Sequence, residues 1–133
     1  MGRWAYFSTG LEYKFWFGVQ DSYDILEFYG ETNSEKDDEY RGTKYVLWNS
    51  SVKETIKNDL DNLKNEHSFL QDISWDSYEL NLEGTTKLYH SFCENNDNNH
   101  TEEQDEISCK YLLGFLIYHQ LLYTDILECD YEY

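Results

Sequence analysis

Leu11-Glu12-Tyr13-Lys14-Phe15-Trp16-Phe17-Gly18-Val19-Gln20 is the stretch that decides the fold class. Leu11, Tyr13, Phe15, Phe17 and Val19 fall on one face of an extended chain, and Glu12, Lys14, Trp16, Gly18 and Gln20 fall on the other. A period of two built from aromatic and β-branched residues predicts a strand. Upstream, Trp4-Ala5-Tyr6-Phe7 is a second apolar run, and Ser8-Thr9-Gly10 between them supplies turn chemistry. Residues 3–20 therefore read as a β-hairpin.

Downstream the period changes. Asp21 or Ser22 can cap a short helix through Ile25, Leu26 and Phe28, with Gly30 placed to end it. Residues 31–43 lack large aliphatics and read as a solvated acidic loop, and Lys44-Tyr45-Val46-Leu47-Trp48 reads as a third strand. Asn49, Ser50 or Ser51 begins the next helix, Ser51 and Glu54 match a capping box, and Val52, Ile56, Leu60 and Leu63 form one apolar stripe on a helix ending near His67. Two shorter helices are expected, one from Ser74 to Gly84 and one from Thr85 to Cys93, followed by an acidic, Asn-rich loop over 94–106. The last helix is expected from about Glu102 to Tyr123. Its centre, Tyr111 to Tyr118, is apolar all round and predicts a buried helix. The tail from Thr124 to Tyr133 is expected to pack through Ile126 and Leu127. The fold class is α+β: a small antiparallel sheet, made of the hairpin and a third strand, packed on four or five helices.

The chain has 133 residues, the size of one domain, and would bury roughly 16,000 Å² on folding. One domain divides naturally into residues 1–48 (hairpin, short helix, acidic loop, third strand) and a helical part over 49–133. Acidic residues number 27 against 10 basic, for a net charge of -17. That balance excludes a protein whose main task is gripping phosphates, which needs clustered Lys and Arg. The 13 Tyr, 7 Phe and 4 Trp exclude a disordered acidic tail. The three cysteines, Cys93, Cys109 and Cys129, do not form an even framework and read as reduced, buried thiols. No apolar leader follows Met1, and the longest apolar run is about eight residues against the roughly twenty of a membrane span. An intracellular protein that is not secreted and has no membrane contact is the expectation.

The opening GRWAYFSTGLEYKFWFGVQDSYDILEFYG, residues 2–30, resembles a family of uncharacterised proteins from giant DNA viruses of amoebae. The shared elements are Gly2-Arg3-Trp4-Ala5 and Glu12-Tyr13-Lys14-Phe15-Trp16-Phe17, with Leu82-Glu83-Gly84-Thr85 further on. The resemblance implies a viral protein acting in the host cytoplasm or virion. It carries no activity and no catalytic residues with it.

Residue types that carry chemistry are present without the spacing that chemistry needs. Asp37, Asp38 and Glu39 could attract a hard cation, but they lack the alternation and central glycine of an EF-hand and read as a solvated run. His90, Cys93, Cys109 and His119 are zinc-type ligands, yet Cys109 and His119 are three turns apart on one helix and cannot share a metal. There is no Gly-x-Ser-x-Gly elbow and no glycine-rich phosphate loop. No catalytic residue, metal or cofactor is assigned.

Two surfaces remain. The first is a basic island on the hairpin, Arg3, Lys14, Trp16 and Gln20, suited to stacking and pairing with a ligand. The second is acidic: Glu31, Glu35, Asp37, Asp38, Glu39, Asp97, Glu102, Glu103, Asp105 and Glu106. Charge of this size repels nucleic acid and steers toward basic proteins. The expected function is non-catalytic binding of another protein, a basic or DNA-binding one. The alternatives are an enzyme or small-ligand binder using Arg3, Lys14 and Gln20, and a structural, homodimeric or larger virion component assembled through aromatic surface.

Overall fold

The computed structural model describes residues 3–15, 20–72 and 102–133. Strand β1 (Arg3–Phe7) pairs antiparallel with β2 (Glu12–Phe15), setting Trp4 opposite Lys14 and Tyr6 opposite Glu12. Between them the Gly10 N–H donates to the Phe7 carbonyl at 2.9 Å, and the Phe7 N–H to the Leu11 carbonyl at 2.9 Å. Gly10 sits at φ +96°, a left-handed conformation that only glycine adopts without strain. Up to Phe15 the hairpin is as the alternation predicts: Ala5, Phe7, Tyr13 and Phe15 point inward and are buried, while the rest of the expected second strand, with Phe17 and Val19, lies outside the described residues.

The largest departure from the sequence reading is at the carboxyl end. Residues expected to trail the last helix form strand β5 (Ile126–Glu132), and it lies in the middle of the sheet. The sheet order is β2-β1-β5-β4-β3, where β3 is Glu31–Thr32 and β4 is Thr43–Asn49, and every pairing is antiparallel. Strand β4 appears where expected, but its neighbour is β5 and not the hairpin. The cause is visible in the burial: Leu127, Cys129 and Tyr131 alternate inward with essentially no exposure. A buried Leu alone contributes about 1.5–3 kcal/mol relative to an exposed one.

The helices cover one side. Helices α1 (Lys53–Glu66) and α2 (Glu102–Leu121) supply Ile56, Leu60, Leu112, Leu113, Leu116 and Ile117 to a single core. Phe7, Val46, Trp48, Leu127, Cys129 and Tyr131 meet them from the sheet. Helix α2 is buried on all sides from Tyr111 to Ile117, as its composition requires. In α1 the stripe packs as predicted, with Ile56 and Leu60 buried and Val52 and Leu63 half-buried. Of the three starts the sequence offers, Asn49 is the one used: it caps a 3-10 turn (Ser50–Val52) leading into the helix, its side chain accepting from the Ser51 N–H at 3.1 Å. The α-helix itself has no side-chain cap, so the Ser51/Glu54 box does not form.

The segment after the hairpin is a 3-10 helix (Ser22–Phe28), closed at its start by a reciprocal cap between Asp21 and Asp24. It ends at Tyr29, not Gly30, with Tyr29 at φ +68°. Gly30 is required for proximity: a Cβ there would lie 2.4 Å from Val46 Cγ2 and 2.9 Å from Trp48 Nε1. Residues 31–43 are more ordered in path than a loop, with edge strand β3, a 3-10 turn (Ser34–Lys36) and a bridge between Asp38 and Thr43. The architecture is α+β. Among the described residues it has two α-helices, and the helices expected over 74–93 lie outside them.

Candidate functional site

Strand alternation divides β5 into two sets. Its inward residues enter the core, so Glu128, Asp130 and Glu132 project from the opposite face. Register extends that face across the sheet. Thr43, Glu132, Trp4 and Lys14 form one row, and Tyr45, Asp130, Tyr6 and Glu12 form the next. Leu47 and Glu128 form a third, with Glu31 of β3 beyond Leu47. The result is a face on which carboxylates alternate with aromatic rings. Trp4, Tyr6, Glu12, Glu128, Asp130 and Glu132 are all half-buried. Among the described residues no α-helix contributes to it, since the core shared with α1 and α2 takes its sheet side chains from the other face.

Hydrogen bonds fix two of the carboxylates. The Trp4 N–H donates to Glu132 Oε1 at 2.8 Å, and the Tyr45 hydroxyl donates to Glu128 Oε2 at 2.6 Å. Burial, then the bond to Glu128 and the charges of Glu128 and Asp130, push the Tyr45 hydroxyl up to about 12. Burial also raises Asp130 above the usual carboxylate range; Arg41 opposes the rise, and Glu128 and Asp38 add to it. Tyr6 is raised by burial and by the Glu132 and Glu12 charges, again against Arg41. Tyr45 is only 7% exposed because the 33–42 segment folds over its end of the face. Asp37 Oδ1 accepts from the Tyr45 N–H at 2.8 Å, and Lys36 Nζ sits 4.8 Å from the centre of the Tyr45 ring.

The hairpin island is not assembled as one patch. Lys14 is exposed on the outer face opposite Trp4, whereas Arg3 has the inward parity of Ala5 and Phe7 and is exposed only because it begins the strand. Gln20 is committed to the interior side: its Oε1 accepts from the Tyr13 hydroxyl at 2.7 Å and its Nε2 donates to the Cys109 carbonyl at 3.2 Å. Trp16 lies outside the described residues.

The acidic set divides by role. Glu31, Glu35, Glu39, Glu103 and Glu106 are exposed. Asp37 and Asp38 are half-buried and structural, Asp38 Oδ1 accepting from the Arg41 N–H at 3.0 Å. Asp105 is half-buried, Glu102 opens α2, and Asp97 lies outside the described residues. Sequence reasoning missed Glu128, Asp130 and Glu132, although their alternation with Leu127, Cys129 and Tyr131 was the available signal.

Among the described residues no group of three or more His, Cys, Asp or Glu could hold a metal, and no helix is long and apolar enough to cross a membrane. Cys109 and Cys129 are buried thiols, and burial pushes that of Cys129 well up. Cys93 and His90 lie outside the described residues. Comparison with protein-family models, curated proteins and solved structures gives no match.

Proposed function

We propose that this chain is a non-catalytic, acidic binding protein whose partner is a basic protein, with histones and DNA-binding proteins the concrete class. The observation that carries the reading is where the carboxylates stand. Glu31, Glu35, Glu39, Glu103 and Glu106 are in water, and three more project from the sheet face away from the core. A net charge of -17 then acts outward, where it repels nucleic acid and anionic lipid and accelerates encounter with cations. The same charge disfavours pairing two copies acid to acid. If the amino-terminal likeness to giant-virus proteins reflects origin, this binding takes place within an infected cell.

Titration of fluorescently labelled chain with purified core histones tests the reading. Tight binding at low ionic strength should weaken steeply as the screening length falls toward about 10 Å near 0.1 M salt. An affinity indifferent to salt, or no binding at low salt, overturns it.

A further inference from the structure

Resting on that reading, we propose that the basic partner docks on the outer face of the sheet, by laying a lysine- and arginine-rich segment along Glu12, Glu128, Asp130 and Glu132 between Trp4 and Tyr6. Three features of this face select that occupant. First, it is a sheet face that no α-helix covers among the described residues, and its side chains are half-buried, so it is reachable. Second, its carboxylates come from adjacent strands in register, with Asp130 directly beside Tyr6 and Glu132 beside Trp4, so each acid has an aromatic neighbour. An ammonium or guanidinium placed there meets a carboxylate and a ring face together, which is the pairing that favours Lys and above all Arg.

Third, the chain itself seats cations at the rim of this face. Lys36 lies 4.8 Å over the ring of Tyr45, and Arg41 stands near enough for its charge to act on both Asp130 and Tyr6. Both bases come from the 33–42 segment, and Lys14 adds a third cation on the β2 side, in the row of Trp4 and Glu132. Glu12, Glu128, Asp130 and Glu132 outnumber these three, so the face keeps negative charge for a partner. A second copy fits poorly, because a two-fold contact through this face would set Glu128, Asp130 and Glu132 against their own counterparts. An anionic strand or membrane is repelled for the same reason.

The test compares two full-length variants that each remove three negative charges with near-isosteric amides. The face variant is Glu12→Gln, Asp130→Asn and Glu132→Gln; Glu128 is kept for its bond to Tyr45. The loop variant is Glu35→Gln, Glu39→Gln and, at the start of α2, Glu103→Gln, all exposed and away from this face. Circular dichroism and thermal melting establish that both fold. The probe is a synthetic twelve-residue peptide of alternating Lys and Arg, read by fluorescence anisotropy at low ionic strength. The face variant should bind about tenfold more weakly than the parent and the loop variant within about twofold of it. Equal losses, or a larger loss in the loop variant, overturn the placement while leaving a cation-binding protein. Failure of the parent chain itself to bind overturns the placement and the functional reading together. If the face variant does not fold, Asp130→Asn alone carries the comparison against Glu35→Gln, with the same ordering expected.

Discussion

Leu127 and Ile126 are neighbours in sequence and opposites in the sheet, and replacing each by alanine tests the placement of β5 directly. Leu127 is fully buried among the residues of both helices and the sheet, whereas Ile126 is 49% exposed at the start of the strand. Removing three carbons from a buried leucine costs about 2–5 kcal/mol through lost transfer energy and the cavity left behind. The same truncation at a half-exposed strand end costs about 0.5–1 kcal/mol, mostly from strand preference. Equilibrium urea unfolding, followed by tryptophan fluorescence, converts these into midpoints. With a slope of about 1.5 kcal/mol/M, Leu127→Ala should move the midpoint down by at least about 1.3 M and Ile126→Ala by less than about 0.7 M. Leu127→Val, costing about 1 kcal/mol, serves if the alanine variant does not fold. A tail that merely packs through both residues would lose comparable amounts at the two positions, and comparable midpoint shifts refute the strand.

Asp130 carries a pH prediction. Its folded-state carboxyl is raised above the ordinary 3.8, chiefly by burial, so the folded chain holds that proton more tightly than the unfolded chain. Its ionisation at neutral pH therefore costs native stability, and the cost disappears as pH falls through the raised value. Asp130→Asn should stabilise the protein at pH 7, by thermal or urea unfolding, with the advantage shrinking toward pH 4; an advantage that grows on acidification contradicts this. Gly30→Ala should destabilise by about 1–3 kcal/mol, since its Cβ would press on the fully buried Val46. Pairing it with Val46→Ala in a double-mutant cycle should recover part of that loss, and strict additivity would argue against the clash. Arg41→Ala removes a cation whose charge acts on Asp130 and should tighten binding of the Lys/Arg peptide by about twofold, where a merely structural Arg41 would weaken it.

The hairpin, β4, α1 and α2 were legible because each carries its own period and boundary residues. The chain from Leu11 to Phe15 alternates cleanly, and Leu112 to Ile117 has no polar side chain to expose. Strand β5 was not, although Ile126–Glu132 alternates too. Three carboxylates in seven residues look like a solvated tail, and what makes them a strand is pairing with β1, more than a hundred residues away. A local pattern cannot announce so distant a partner. The candidate site depends on that pairing, so its acids were invisible as a group while the acids of 31–39 stood out as a run. The same limit explains the hairpin island. Arg3 and Lys14 are close in the hairpin yet project from opposite faces, which follows from the register and not from the composition. The end of the short helix shows a finer limit. Gly30 carries the usual signature of a helix stop, but the close approach of Val46 and Trp48 claims it, and the left-handed turn passes to Tyr29.

An NMR titration of the isotopically labelled chain with the Lys/Arg peptide reaches the centre of the account. The amide signals of Trp4, Tyr6, Glu12, Asp130 and Glu132 should shift together along one saturable curve, with those of Glu35, Glu39, Glu103 and Glu106 nearly still. Shifts concentrated at Glu35, Glu39, Glu103 and Glu106, with the β1 and β5 amides unmoved, would contradict it.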